Sequence, residues 1–286
     1  MAETNASRTL AFRPFTQDDI DTAQRLSSCF QWPHRVDDWR FVAKLGSGFV
    51  AQDGSGVIGT ALGWRYGREH ASLGMVIVAP DQQGRGIGRE LLARIVDDLG
   101  ERTLFLHATP AGKPLYAKFG FKPTGITEQH QGAAFHPPLI SLPPGERLRP
   151  IGVNDTARLG ALASRACGYD RSAVIDALLD VASGIALDRD GELLGFALFR
   201  RFGRGHAIGP VIAPDTLRAQ ALISHWLALH AGMFVRIDVP GDSGLSDWLE
   251  ELGLRRVDSV VAMVRGAAPQ RDPALRQFAI VNQALG

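Results

Sequence analysis

Cysteine is scarce in this chain of 286 residues. There are two, Cys29 and Cys167, far apart and in no metal-ligand or redox spacing. A disulfide framework is therefore excluded, no metal centre is expected, and both thiols are expected reduced in a cytoplasmic protein. Long hydrophobic runs are missing as well: none approaches the roughly 18 residues that a membrane span needs. The N-terminal stretch MAETNASRTLAF has no apolar core of the kind a signal peptide carries. An excess of charge of one sign is absent too. Lysine and arginine number 31 against 30 acids, for a net charge of +1. No basic tract suggests nucleic acid and no acidic tail suggests a solvating arm. The expected partner is a small molecule or a local patch on another protein.

The chain does contain enough apolar residues, 45%, for real cores, and its length suits one large domain or two ordinary ones. Internal repetition favours two. Arg13 in FRP and Arg149 in LRP are 136 residues apart, as are Gly59 in DGSGVIGTAL and Gly195 in DGELLGFAL. Ala79-Pro80-Asp81 recurs 134 residues later at 213–215, and LYAKFGF (115–121) answers WLEELGL (248–254) at a shift of 133. Ordered anchors at nearly one offset indicate a duplicated domain, because the period is far too long for a solenoid. Between the copies, HPPLISLPPGE (136–146) holds four prolines and no periodicity, which reads as an extended connector. The expected organisation is a first copy at 1–134, a linker at 135–145 and a second copy at 146–286.

Within the first copy, TLAFRPF alternates like a strand. TQDDIDTAQRLSSCF and RVDDWRFVAKL read as helices, the former opened by threonine and acids. GFVAQD and VIGTALGWRYG flank a GSG turn as a hairpin, and the apolar ASLGMVIVA reads as a central strand. A glycine-rich loop follows. After it comes a helix whose Leu91, Leu92, Ile95, Val96 and Leu99 share one face. TLFLHAT, GKPLYAKFG with Gly120 as its C-cap, and FKPTGITEQHQ complete a strand, a short helix and a final strand. The class is α/β, with a mixed sheet.

The loop QQGRGIG lies where an apolar strand meets an amphipathic helix. A helix N-terminus has unpaired N–H groups and a dipole that favours an anion. Glycine lets the backbone adopt positive φ and approach a bulky ligand closely. Arg85 and Arg89 add positive charge. Together these make a phosphate or pyrophosphate cradle. It is neither a G-x-G-x-x-G dinucleotide loop nor a P-loop ending in G-K-[ST].

Gln83-Gly84-Arg85-Gly86-Ile87-Gly88 resembles the Q/R-x-x-G-x-G/A signature of the GCN5-related N-acetyltransferases. The resemblance extends over the element order of the first copy, and the duplicated layout resembles bacterial two-domain members. It implies acetyl-coenzyme A as co-substrate, with its pyrophosphate on Gln83, Gly84, Arg85, Gly86, Ile87, Gly88 and Arg89. It implies a pantetheine arm beside Val76, Ile77 and Val78, and Tyr116 as proton donor to the departing thiolate.

Many relatives carry a glutamate general base eleven residues before Gln83. Here that position is Ser72. A serine hydroxyl is no base at neutral pH, so Glu69, His70, His107 or a water chain remain candidates. The turn between the first two helices borders the acceptor site in this fold. It offers Phe30, Trp32 and His34, aromatic groups suited to an apolar or cationic acceptor or to core packing. The second copy keeps the scaffold but replaces the glycine loop by TLRAQALI, and the Tyr116 counterpart is Leu249. It is expected to bind no cofactor. Its Tyr169 and His206 are candidates to shape the acceptor side. Two function classes follow: acetyl transfer to a primary amine of a small molecule, or an acyl-coenzyme A-binding module without turnover. Thiol release over a panel of amines separates them.

Overall fold

The computed structural model describes residues 10–286. Residues 1–9, part of the stretch read as having no leader, lie outside it. In chain order the elements are β1 (Ala11–Pro14), α1 (Ile20–Cys29), α2 (Val36–Leu45), β2 (Ser47–Asp53), β3 (Gly56–Tyr66), β4 (His70–Val78), α3 (Ile87–Leu99), β5 (Thr103–Ala108), α4 (Lys113–Lys118) and β6 (Lys122–Gly132). There follow β7 (Glu146–Pro150), α5 (Thr156–Cys167), α6 (Ser172–Leu179), β8 (Ala182–Arg189), β9 (Glu192–Phe202), β10 (Gly205–Ala213), α7 (Thr216–Leu229), β11 (Val235–Pro240), α8 (Ser246–Glu251), β12 (Leu254–Arg265) and β13 (Arg276–Ala279). The α/β class and the mostly antiparallel mixed sheets flanked by helices are as the sequence reading expects. Among the described residues no helix is long and apolar enough to cross a membrane. Both cysteines are free, Cys29 exposed and Cys167 buried.

The chain divides into two compact units. One holds the chain up to Arg65 and then Leu73–Glu101; the other holds Tyr66–Ser72 and Arg102–Gly286. This is a different partition from the sequence repeat. In the first unit β1, β2 and β3 form an antiparallel run. Helix α3 buries the apolar face expected of it, Leu91, Leu92, Ile95, Val96 and Leu99. It lies close on β3 because Gly59 and Gly63 offer no side chain there. A Cβ at either would come within 3.0 Å of Leu91 or Leu99.

In the second unit the strand order explains why the partition is unlike the repeat. β12 pairs antiparallel with both β5 and β6, and β6 pairs antiparallel with β12 and β11. By sequence, β5 and β6 close the first copy, and β11 and β12 close the second. Each copy's sixth strand therefore inserts beside the other copy's fifth, in the order β5-β12-β6-β11. Swapping the copies reverses this order onto itself, a pseudo-two-fold arrangement. Outward from β11 the sheet continues through parallel β10 and antiparallel β9, β8 and β7, with β13 antiparallel on β10.

The duplication is visible in side-chain detail. Arg13 makes a two-pronged ion pair with Asp19 at 2.8 and 2.7 Å, and Asp19 also accepts the Thr16 N–H at 2.8 Å. Arg149 repeats this with Asp155 at 2.6 and 2.9 Å, and Asp155 accepts the Gly152 N–H at 2.9 Å. Even the third contact is kept: Arg13 Nε donates to Gln52 and Arg149 Nε donates to Asp188, each 136 positions on. The arginines of FRP and LRP thus tie the first strand of each copy to the turn that opens its first helix.

Candidate active site

The cradle is built from backbone conformation. After β4 the chain turns through Pro80–Gln82, and Gln83 Nε2 donates back to the Val78 carbonyl at 3.2 Å. Gly84 and Gly86 then take φ of 77° and 81°, the left-handed region. Gly86 is the N-cap of α3 and has no side chain to occupy the helix's leading N–H groups. A Cβ at Gly84 or Gly86 would meet nothing within 4 Å. These glycines therefore serve backbone conformation and open space, not close packing. Ile87 is buried and anchors the helix start, whereas Gln83, Arg85 and Arg89 are exposed and Gly88 half-buried. Arg85 reaches the Gln82 side chain. Free N–H donors, an open side and two cations fit a diphosphate.

Immediately before, β4 leaves extended backbone at one residue. Met75 has φ of 51°, a conformation that costs a residue with a side chain on the order of 1–2 kcal/mol. Thr60 Oγ1 holds it there by donating to the Met75 carbonyl at 2.7 Å. A left-handed residue in a strand turns its main-chain groups away from the extended direction. Val76 and Val78 are half-buried and Ile77 is buried. The second copy is irregular at the matching place: Gly209, 134 residues on, has φ of 158°, and the β10–β9 register shifts between Ile208 and Val211.

Tyr116 lies on α4. Its ring meets Phe121 edge-on at 6.1 Å, and Gly112 makes room for it, since a Cβ there would sit 3.1 Å from Cε2. Burial pushes the phenol up to about 12, so it holds its proton at every physiological pH.

The candidates for proton acceptor separate clearly. Glu69 is exposed in the β3–β4 turn, where its carbonyl accepts from the Thr103 N–H at 2.8 Å. His70 is stacked flat on Phe105 at 5.8 Å and on Tyr169 at 5.5 Å. His107, partly exposed on β5, places Nδ1 3.0 Å from the Gln283 carbonyl. Ser72 Oγ donates to the Ala284 carbonyl at 2.9 Å and contacts Tyr66 Oη at 2.7 Å. Tyr66 Oη in turn donates to the Leu285 carbonyl at 2.8 Å. Arg171, fully buried at the start of α6, donates to the carbonyls of Leu285 at 2.6 Å and Gly286 at 2.7 Å. Four consecutive carbonyls of segment 283–286 thus accept from side chains of β3, β4, β5 and the turn before α6. Sequence reading missed this segment, and missed Met75, Tyr66 and Arg171.

The acceptor candidates fall into distinct groups. Phe30, Trp32 and His34 form one aromatic chain, with centroids 6.1 and 5.9 Å apart, that continues to Trp39. Tyr169 lies flat against Tyr66, His70 and Phe105 at 5.0–5.5 Å. His206 sits in a separate stack, on Phe199 at 4.8 Å and beside His230. The structure does not gather Tyr169 and His206 into one ring cluster.

At each position expected to meet a cofactor in the first copy, the second copy has a group of its own chain. Helix α7 begins directly after Asp215, and the Asp215 carboxylate accepts the Arg218 N–H at 2.9 Å. A fixed carboxylate thus sits at the helix N-terminus where the first copy has Gly86. Val211 and Ile212, the counterparts of Ile77 and Val78, pair with β13 at Ala279 and Gln277. Leu249, in place of Tyr116, is wholly buried.

Known proteins resemble the chain over both copies. A family model described as an acetyltransferase (GNAT) domain matches residues 44–123, and another of the same description matches residues 160–279. Over 277 residues the chain is 30% identical to YitH of Bacillus subtilis (strain 168), an uncharacterized N-acetyltransferase, covering 94% of this chain and 96% of that one. It is 25% identical to a holothin acyltransferase of Pseudoalteromonas sp., covering 77% and 75%. Among solved structures, a protein of Pyrococcus horikoshii named as an acetyltransferase superposes with a TM-score of 0.79 at 20% identity, covering 100% of this chain and 99% of that one. A tandem GNAT protein from the clavulanic acid biosynthesis pathway superposes with a TM-score of 0.62 at 17% identity, covering 92% and 100%.

Proposed function

The chain belongs to the acetyltransferase (GNAT) family in its tandem form, and on that premise we propose that its first copy moves an acetyl group from acetyl-coenzyme A to a primary amine of a small molecule. The observation that carries this reading is the pair Gly84 and Gly86, both left-handed, both beside open space, at the N-terminus of α3. When bound, the co-substrate supplies a thioester whose acyl carbon is open to an amine. The chain's own residues divide the remaining work. Gln83 through Arg89 hold the diphosphate by N–H groups and charge. Val76, Ile77 and Val78 lie along the arm, and a main-chain N–H of this stretch, beside the left-handed Met75, is proposed to polarise the acyl oxygen. Tyr116, neutral up to about pH 12, gives its proton to the departing sulfur. Phe30, Trp32 and His34, with Tyr169 and His206, are proposed for the acceptor side. The relative named for acyl transfer to holothin supports an acceptor of the small-molecule kind.

The test is titration calorimetry with acetyl-coenzyme A, followed by thiol release over a panel of amines. Gly86→Val, which forces a branched side chain into the left-handed region, is expected to remove measurable binding while circular dichroism stays near normal. Unchanged affinity would remove the cradle from the reading. Binding without thiol release for any amine would turn the protein into a binding module.

A further inference from the structure

Segment 280–286 is an irregular stretch of the second unit held by a series of backbone and side-chain hydrogen bonds. It leaves β13 with the Ile280 N–H donating to the Asp238 carbonyl at 2.9 Å. Asn282, buried, closes a turn by accepting the N–H groups of Ala284 at 3.0 Å and Leu285 at 2.8 Å. The carbonyls of residues 283–286 then take the donors described above, from His107, Ser72, Tyr66 and Arg171 in turn. Arg171 is further held against the faces of Tyr66 at 5.0 Å and Tyr169 at 5.6 Å.

The consequence falls on His107. A backbone carbonyl accepts and never donates, so Nδ1 of His107 must carry the proton in its contact with Gln283. In a neutral imidazole the other nitrogen, Nε2, then bears the lone pair. Ser72 offers no such group. Its hydroxyl lies within hydrogen-bond distance of the Ala284 carbonyl, and that of Tyr66 lies within reach of the Leu285 carbonyl. His70 stacks beside Phe105 and Tyr169, with no hydrogen bond among the described residues to fix its tautomer, and Glu69 lies out in the turn.

We propose that His107 is the proton acceptor of the reaction, through Nε2, and that segment 282–286 of the second copy is the positioning element that fixes its tautomer. This rests on the acyl-transfer reading above. As the amine nitrogen forms its bond to the acyl carbon and the carbon–sulfur bond breaks, one N–H bond breaks and its proton passes to Nε2. Tyr116 gives its phenolic proton to sulfur. The imidazolium proton returns through water to the phenolate, which restores both groups. The surroundings keep His107 neutral beforehand. Burial lowers its basicity most, the Gln283 carbonyl and Asp238 on β11 oppose this, and Asp238 is itself paired with Arg236 at 2.6 Å. From β12 its register partner is the uncharged Ala262, and from the segment it meets the Gln283 carbonyl.

Two readouts test the proposal, one independent of turnover. Long-range proton–nitrogen spectra of histidine-labelled protein without ligand should show His107, identified by its loss in His107→Gln, as the Nδ1–H tautomer. Asn282→Ala, which frees the turn, should mix the tautomers. In kinetics, His107→Gln should lower kcat/KM by roughly 10²–10⁴-fold. It should also erase the acidic limb of the pH profile, which in the native protein falls below the ordinary imidazole value, while acetyl-coenzyme A affinity stays within a few-fold. Asn282→Ala should lower kcat more than it raises KM. An Nε2–H tautomer in the native protein overturns the proposal, whatever the activity. So does a fully active His107→Gln with the native pH profile, an outcome that leaves the acyl-transfer reading standing. Absence of acyl transfer by the native protein for every amine overturns that reading and the proposal with it.

Discussion

Set side by side, the two copies differ less in scaffold than in what fills their equivalent positions. Both keep the arginine–aspartate clasp, the irregular fourth strand and the short helix after the fifth strand. Where the first copy caps α3 with Gly86, the second caps α7 with the carboxylate of Asp215. The counterparts of Ile77 and Val78 are bridged by β13. The counterpart of Tyr116 is a buried leucine. The glycine N-cap, the strand edge and the tyrosine of the first copy are thus answered in the second by the chain's own carboxylate, strand and hydrocarbon. The difference between the copies is more than deleted glycines. The unpaired N–H groups of a helix end and a strand edge still need partners, and the chain supplies them.

Three experiments would break or sharpen this comparison. The largest effect is expected at Tyr116, the proposed proton donor. Tyr116→Phe should lower kcat by roughly 10²–10⁴-fold with little change in acetyl-coenzyme A affinity, whereas Leu249→Tyr in the second copy should confer nothing. Because the phenol is held up to about 12 by burial, it is protonated below that value, and no loss of activity between pH 8 and 10 is expected from it. A Tyr116→Phe protein with native kcat would remove the contrast between the short helices.

Next is stoichiometry. Calorimetry should return one acetyl-coenzyme A per chain. A value near two would mean that Asp215 and β13 yield to the ligand, and the second copy would then count as a site.

The smallest effect separates the two clasps. For Asp155 the hydrogen bonds from Arg149 dominate and hold the carboxyl down at about 2. For Asp19 burial is the largest influence and opposes ionisation, and Arg13 with Thr16 outweighs it for a net lowering. A lowered carboxyl contributes stability that is present above its unfolded value near 3.8 and is lost as pH falls through the folded value. Asp155→Asn should therefore cost roughly 1 kcal/mol at pH 7, once screening of the partly exposed arginine is allowed for. The deficit should shrink as pH drops toward 2. Asp19→Asn should cost less, as read by urea unfolding at pH 7 and pH 3. Equal costs would mean that the clasps are energetically interchangeable.

Much of this was legible in the sequence because it is local. QQGRGIG after an apolar strand announces a helix end with room for an anion, and the apolar face from Leu91 to Leu99 follows from spacing alone. Even the duplication could be read, since Arg13 and Arg149 hold the same turn. The strand exchange could not. Alternation marks β6 and β12 as strands, but it is silent on partners, and Ala108 meets Val261 across most of the chain. The positioning of His107 was hidden for the same reason. Its partner is a carbonyl 176 residues away, and a carbonyl leaves no trace in residue type. Met75 was hidden because nothing about methionine marks a left-handed conformation, which here is imposed by Thr60.

The exchange of sixth strands also sets a timetable for synthesis. On the ribosome, β5 and β6 emerge long before β12, which ends at Arg265, and until it arrives both strands present open edges with no neighbour between them. The first copy therefore cannot be completed while the second is still being made. Pairings of such long range close slowly and expose hydrogen-bonding edges meanwhile. The nascent chain should depend on holding chaperones through most of its translation. A premature stop before residue 254 should yield aggregated product, not a working half.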